Sequence, residues 1–191
     1  MTDTASTDTV TTTAPEPGSW TIDSMHSFVT FTVEHFTVNM ARGLASGPTG
    51  TITIAPDIAA SSITATIDVS TITTGHPLRD EKVLGPDVLD AAKYPSIDFV
   101  SRAVTENAAG RYTVDGDLTI HGVTRPANLD VAVRGVIHDS WGKTRLGLAA
   151  TTQIKRSDFD FLQFGHVALD SGGFMLPDNV RIALDLEATR D

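Results

Sequence analysis

Residues 111–137, RYTVDGDLTIHGVTRPANLDVAVRGVI, hold the pattern that decides the fold. Tyr112, Val114, Leu118 and Ile120 alternate with Thr113, Asp115, Asp117 and Thr119. After His121-Gly122-Val123-Thr124 the same beat returns, with Leu129, Val131 and Val133 set against Asn128, Asp130 and Arg134. A period of two sends apolar side chains to one face of a strand and polar ones to the other. Two such runs joined by a short glycine-containing turn predict an antiparallel hairpin with one dry face.

The same period extends outward in both directions. Val29, Phe31, Val33 and His35 fall on one face of a strand, with Thr30, Thr32 and Glu34 on the other. Ile63, Ala65, Ile67 and Val69 alternate with Thr64, Thr66 and Asp68, and Val180, Ile182, Leu184 and Leu186 with Arg181, Asp185 and Glu187. Strands are expected near 27–36, 49–54, 62–70, 96–104, 111–120, 125–137, 143–155 and 179–189. Residues 106–110 and 140–143 supply further turns. Eight half-buried strands predict an all-β antiparallel sandwich or barrel.

Two segments break the period. LRDEKVLGPDVLDAAKY, between Pro77 and Pro95, predicts one or two short helices, with Pro86 in a first helical turn ahead of Asp87. Residues 159–179 are apolar for a loop and carry Phe159, Phe161, Phe164 and Phe174. Loops normally run over the surface and are polar. These rings are therefore expected to pack on a barrel end, line its mouth or meet a partner.

A chain of 191 residues suggests one domain. Its first residues, MTDTASTDTVTTTAPEP, read as a disordered Thr-rich tail over 1–18, leaving 19–191 as the folded domain. That segment has neither the basic nor the apolar region of a secretory signal, so a cytoplasmic protein is expected. No apolar run approaches the roughly 20 residues of a membrane span. A formal charge of -10 disfavours nucleic acid and stable adsorption on anionic lipid. With no cysteine there are no disulfides, thiolate metal sites or cysteine nucleophiles.

Catalytic signatures are lacking: there is no Gly-x-Ser-x-Gly elbow, phosphate loop or His-Glu-x-x-His. The six histidines stand singly, and His26 and His35, nine positions apart, would point to opposite faces of an unbroken strand. His26 is expected to hydrogen-bond at the strand entrance after Asp23. Arg79-Asp80-Glu81-Lys82 reads as a solvated helix face before an anion site, and Ser157-Asp158 as turn-makers. The inward set is largely Val, Ile, Leu and Ala. Such a lining suits a flexible hydrocarbon, unless these side chains simply fill one another's space, and eight strands is the size at which either outcome arises.

Four ordered stretches resemble the YceI-like polyisoprenoid-binding family over roughly residues 19–189. They are Trp20-Thr-Ile-Asp23-x-x-His26-Ser27 with Phe31-x-Val33-x-His35; Arg79-Asp80 with Asp90-x-x-Lys93-Tyr94-Pro95-x-Ile97-x-Phe99-x-Ser101; Gly116 to Pro126; and Ile154-x-Arg156-Ser157-Asp158-Phe159. The resemblance implies a lipocalin-like eight-stranded antiparallel barrel with a short helical insertion between strands four and five. Its lumen would hold a long isoprenoid chain, such as that of a quinone or its precursor. The chain departs from the family pattern at Lys82-Val83, at Val88-Leu89 and at Asp160, where a glycine is usual, so no headgroup site is carried over.

The expected function is non-catalytic binding, storage or transport of a polyisoprenoid lipid, with no cofactor, no metal and no catalytic residue. Val33, Ile67, Phe99, Val114, Leu118, Val131, Leu146, Leu148 and Leu184 are expected to contact the tail, and Phe161 and Phe164 to shape the mouth. The resemblance leaves a homodimer as an option. The alternatives are an enzyme acting on a hydrophobic substrate through His35 or His121, and a ligand-free interaction domain using 159–179 as its partner surface.

Overall fold

Every expected stretch of alternation forms a strand, and two further strands join them. The computed structural model describes residues 15–161 and 164–190. In chain order it contains β1 (Gly18–Ile22), β2 (Phe28–His35), β3 (Asn39–Ser46), β4 (Thr49–Ile54), β5 (Ser62–Asp68), α1 (Pro77–Leu84), β6 (Ser96–Ala108), β7 (Arg111–Ile120), β8 (Val123–His138), β9 (Thr144–Lys155) and β10 (Asn179–Arg190).

Ten strands build an eight-membered wall. On one edge of β10, Thr189 and Ala188 pair with Thr21 and Ile22 of β1, and Asp185 to Arg181 pair with Phe28 to Thr32 of β2. β1 and β2 are thus two halves of one wall strand, interrupted at residues 23–27. β3 and β4 form its neighbour in the same way, with Gly47-Pro48 between them, since β3 pairs with β2 and β4 with β1. From β4 the antiparallel order runs through β5, β6, β7, β8, β9 and β10 and closes on β1. Among the described residues, closure covers the strand edges except on β3, whose outer edge pairs only through the isolated Leu44–Thr73 bridge.

The interruption at 23–27 is bridged by side chains. Asp23 takes a hydrogen bond from the Met25 N–H at 3.0 Å, and its own N–H donates to the Glu187 carbonyl at 2.8 Å. Fully buried Ser27 donates its hydroxyl to that carbonyl and accepts from the Glu187 N–H at 3.0 Å. One hydroxyl thereby replaces both ladder bonds where the strand bends.

Three expectations need correction. β1 starts at Gly18, inside the segment assigned to the tail, and Arg190 holds its approach by bonding the Pro17 carbonyl at 3.1 Å and pairing with Glu16. Residues 1–14 of that tail lie outside the described residues. β3, NMARGLAS, was not expected, because small residues and Gly43 blur its alternation. The helix ends at Leu84 and Pro86 stands in a turn, while Pro77 takes the first helical turn. In this ten-strand count α1 lies between β5 and β6.

The barrel is solid at one end. Trp20, Val114, Leu146 and Ala188 are essentially inaccessible there, beneath the β6–β7 and β8–β9 hairpins. The opposite end is ringed by the β2–β3 hairpin, the α1 segment, the β7–β8 turn and the loop from Arg156 to Asp178.

Candidate functional site

A cavity of about 240 Å³ occupies the barrel between the packed end and that ring. It exceeds the roughly 150 Å³ apolar cavity that takes up a benzene-sized guest. Its wall is built strand by strand from the inward parity: Val33 on β2, Ile67 on β5, Phe99 on β6, Leu118 on β7, Val131 on β8, Leu148 on β9 and Leu184 on β10. Phe161 and Phe164 close over it from the loop. Val114 and Leu146, expected alongside them, lie outside the wall. Their rows fall toward the packed end, where Leu146 pairs with Ala188 and Val114 with Val104.

Two glycines keep the lumen open. Phe31 and Phe99 are the ring side chains on the cavity strands, and a β-carbon on Gly43 or Gly116 would collide with them respectively. Each ring therefore lies over the bare backbone of a glycine on an adjacent strand, leaving space that a side chain there would close.

Residues that strand periodicity could not reveal complete the site. Val83, Val88 and Leu89 reach the cavity from α1 and the turn after it, and Leu176 from the long loop. The signal was present in an apolar pair within a polar segment, but no strand period assigned it a direction. Phe159, grouped in sequence with the other loop rings, is buried against β8 and β9 outside the cavity, whereas Phe174 is exposed.

Arg156 shapes the loop and leaves the cavity apolar. It is 5% exposed and donates to three backbone carbonyls: Pro177 at 3.1 Å, Phe164 at 2.6 Å and Leu176 at 2.6 Å. Burial pushes its pKa down from the usual arginine value. Only apolar surface of the wall faces the cavity, so the guanidinium spends its donors on the loop and presents its stem to the interior. Ser157 anchors the same loop through its N–H and hydroxyl, at 2.8 and 2.7 Å from the Asp178 carboxylate. Asp160 adopts φ 61°, the left-handed conformation that glycine enters freely and aspartate tolerates.

Most of the other polar groups singled out in the sequence have structural partners, although the buried Nδ1 of His121 makes no hydrogen bond among the described residues. Asp80 accepts from the Thr73 hydroxyl at 2.7 Å and the Thr74 N–H at 2.6 Å, and Arg79 donates to the Thr74 carbonyl at 2.7 Å. The Arg79-Asp80 pair thus ties α1 to the preceding segment. His26 bonds Asp23 at 2.9 Å, as expected at a strand entrance. Asp23, His26 and Glu187 converge within 4.8 Å, but Arg145 already places its guanidinium on both carboxylates and, at 2.6 Å, on Asp139. The cluster is an ion-pair network at the packed end. His35 is exposed and meets the Phe36 ring edge-on, and His121 packs against Tyr94 with centroids 4.6 Å apart. Neither belongs to the cavity wall. No helix among the described residues is long and apolar enough to cross a membrane.

This geometry has known relatives. The YceI-like domain family model matches residues 20–188. A UPF0312 protein of Vibrio parahaemolyticus is 31% identical over 141 residues, covering 73% of this chain and 75% of its own. One from Pseudomonas syringae pv. syringae is 34% identical over 138 residues, 72% of each. Among solved structures, Burkholderia cenocepacia BcnA superposes with a TM-score of 0.72 at 26% identity, covering 87% of this chain and 98% of that one. A polyisoprenoid binding domain from Saccharophagus degradans, implicated in plant cell wall breakdown, shares the fold at 15% identity, with a TM-score of 0.65 over 90% of this chain and 98% of that one. By the match across the whole barrel, this chain belongs to the YceI-like family.

Proposed function

We propose that this protein is a non-catalytic carrier or store for a long polyisoprenoid lipid, an isoprenoid quinone or its precursor, with the hydrocarbon tail held in the barrel cavity. The observation that carries the reading is a wall of branched aliphatic side chains and four phenylalanine rings that turns no polar surface inward. Such a cavity offers nothing to a sugar or nucleotide, and a polar head has no partner inside it. A head would therefore stay at the ringed end while the tail is buried. Each buried CH₂ contributes about 0.8 kcal/mol, so a few isoprene units supply ample gross affinity before the cost of ordering the tail. The polyisoprenoid-binding relative of the same fold supports this choice of guest.

Organic extraction and mass spectrometry of gently purified protein tests the reading. A prenyl lipid at substantial occupancy is expected. Repeated absence of any such lipid, together with no uptake of added prenyl lipid, would overturn it.

A further inference from the structure

Above the ringed end of the cavity, two neighbouring tips carry exposed apolar side chains. The β2–β3 hairpin presents Phe36 and Val38, the latter 84% exposed. The long loop presents Val167, 57% exposed, and Phe174. The tips are physically joined. The Phe36 N–H donates to the Met175 carbonyl at 2.8 Å, the Met175 N–H to the Val167 carbonyl at 2.8 Å, and Ala168 bridges Phe174. Below them the cavity reaches Val33, Phe164 and Leu176, the chain neighbours of these same tips.

Two independent features set this patch apart from stray exposed hydrophobics. The first is conformational. Phe36 and Thr37 both have positive φ, 54° and 60°, in the three-residue connection between His35 and Asn39, where the Val38 N–H bonds the His35 carbonyl around these two residues. That turn strongly favours Asn-Gly, and an aromatic followed by a β-branched residue is a costly way to make it. Local rules broken at an exposed tip mark places where function sets the residue. The second feature is charge. Residues 35–41 and 164–177 hold no lysine or arginine and a single carboxylate, Asp170, in a chain with 24 acidic residues. An acidic protein that keeps these two tips neutral and oily, beside the charged α1 segment, would be repelled least at the tips by a lipid surface.

We infer that the Phe36–Val38 hairpin tip and the Val167–Phe174 loop form a shallow membrane-docking surface, seating the cavity's ringed end on the neutral interface of a bilayer. The inference rests on the carrier reading, because it gives the tail a route between bilayer and cavity that avoids water. Its partner is a lipid surface rather than a protein, and the contact is interfacial, made by tips two to four side chains wide.

The test uses pure phosphatidylcholine vesicles and the full chain. Phe36→Trp should show a blue-shifted emission and quenching by shallow lipid-borne quenchers, while Trp141, 82% exposed on the opposite β8–β9 hairpin, should not change in the unmodified protein. Val38→Asp with Val167→Asp should weaken vesicle partition at least tenfold, yet retain prenyl lipid loaded from detergent, since neither residue lines the cavity. Phe36→Asn with Thr37→Gly should melt at a higher temperature and partition more weakly. Vesicle binding that is absent, or unaffected by the aspartates, while loaded lipid is retained would overturn the docking surface and leave the carrier standing. Tip-dependent vesicle binding by protein that never takes up prenyl lipid would instead overturn the carrier.

Discussion

Leu146 and Leu148 sit two residues apart on β9 and face the same way, yet the fold gives them opposite surroundings. Leu146 is 1% exposed in the packed end, whereas Leu148 is 7% exposed on the cavity wall. Tryptophan at each position tests the hollow interior directly. Leu→Trp adds six heavy atoms, as many as a benzene ring, and the cavity of about 240 Å³ has room for them. Leu148→Trp should therefore change stability by less than about 1 kcal/mol, whereas Leu146→Trp must overpack a filled core and lose roughly 3 kcal/mol or more. Binding should separate them the other way. Six methylene-sized groups of guest excluded by the Leu148→Trp indole forfeit about 5 kcal/mol of gross burial at roughly 0.8 kcal/mol each. Part of that returns because less of the tail is ordered, so an affinity loss of about a hundredfold or more is expected. Urea denaturation of apo protein and prenyl-lipid uptake measured by mass spectrometry read both quantities. Equal destabilisation at the two sites, or undiminished lipid uptake by Leu148→Trp, would show that the interior at Leu148 is not the binding space.

Three further outcomes follow from the same geometry. Gly43→Ala should drive the Phe31 ring into the lumen and lower lipid uptake, and adding Phe31→Leu should restore it; uptake that Gly43→Ala leaves unchanged would refute the role given to that glycine. Arg156→Met strips three loop carbonyls of a charged donor and should cost about 3–5 kcal/mol, with the loop opened to limited proteolysis before the barrel unfolds. Asp23, Asp80 and Asp139 are held below the usual carboxylate range, chiefly by the His26 hydrogen bond, the Thr74 hydroxyl and the Lys143 N–H. Groups with lowered folded pKa stabilise above their unfolded value of about 3.9 and lose that contribution as pH falls through the folded one. The urea midpoint should accordingly drop below about pH 4, and Asp80→Asn should flatten the fall; a midpoint that is level down to about pH 2.5 would contradict these bonds.

What the sequence disclosed follows from where the period of two operates. Over most of β6 to β10 the two faces of each strand have a fixed environment, water outside and hydrocarbon inside, so the alternation is legible except at the irregularities near Arg102, Asn107 and Arg134. It fails where side chains do not face those two solvents. β3 is one case: Gly43 lies beneath a ring from its neighbour, and its companions on that face, Ala41 and Ala45, are small, so no amplitude remains to detect. β1 is another, because five residues around Trp20 are too few to declare a period beside a polar tail. The α1 segment hid its share of the site for a different reason. Val83, Val88 and Leu89 reach the cavity from a helix end and a turn, where no repeat tells inward from outward. Likewise the separation of Leu146 from Leu148 follows from where the packed end stops. Neighbouring rows on five or six strands set that depth jointly, and no single stretch of chain records it.

The placement of polar groups ties these levels together. A barrel that kept its interior open for hydrocarbon could not also bury the donors and acceptors that its bends require. Here the bends carry their own partners: Ser27 at the break in the first wall strand, Asp80 and the Thr73-Thr74 segment at α1, and Arg156 under the long loop. Each satisfies backbone groups at the rim or in the wall, and none turns a nitrogen or oxygen into the lumen. Arg156 is the decisive case. A buried guanidinium on the cavity wall is the side chain most able to select an anionic or carbonyl headgroup, yet its three nitrogens each bond a loop carbonyl, at 2.6–3.1 Å. Three of its five N–H donors are thus engaged by the loop, and no nitrogen of the group faces the lumen. On the carrier reading, the interior would therefore discriminate by length and cross-section of hydrocarbon, and any choice among polar heads would be made outside it, at the ringed end where the exposed tips stand.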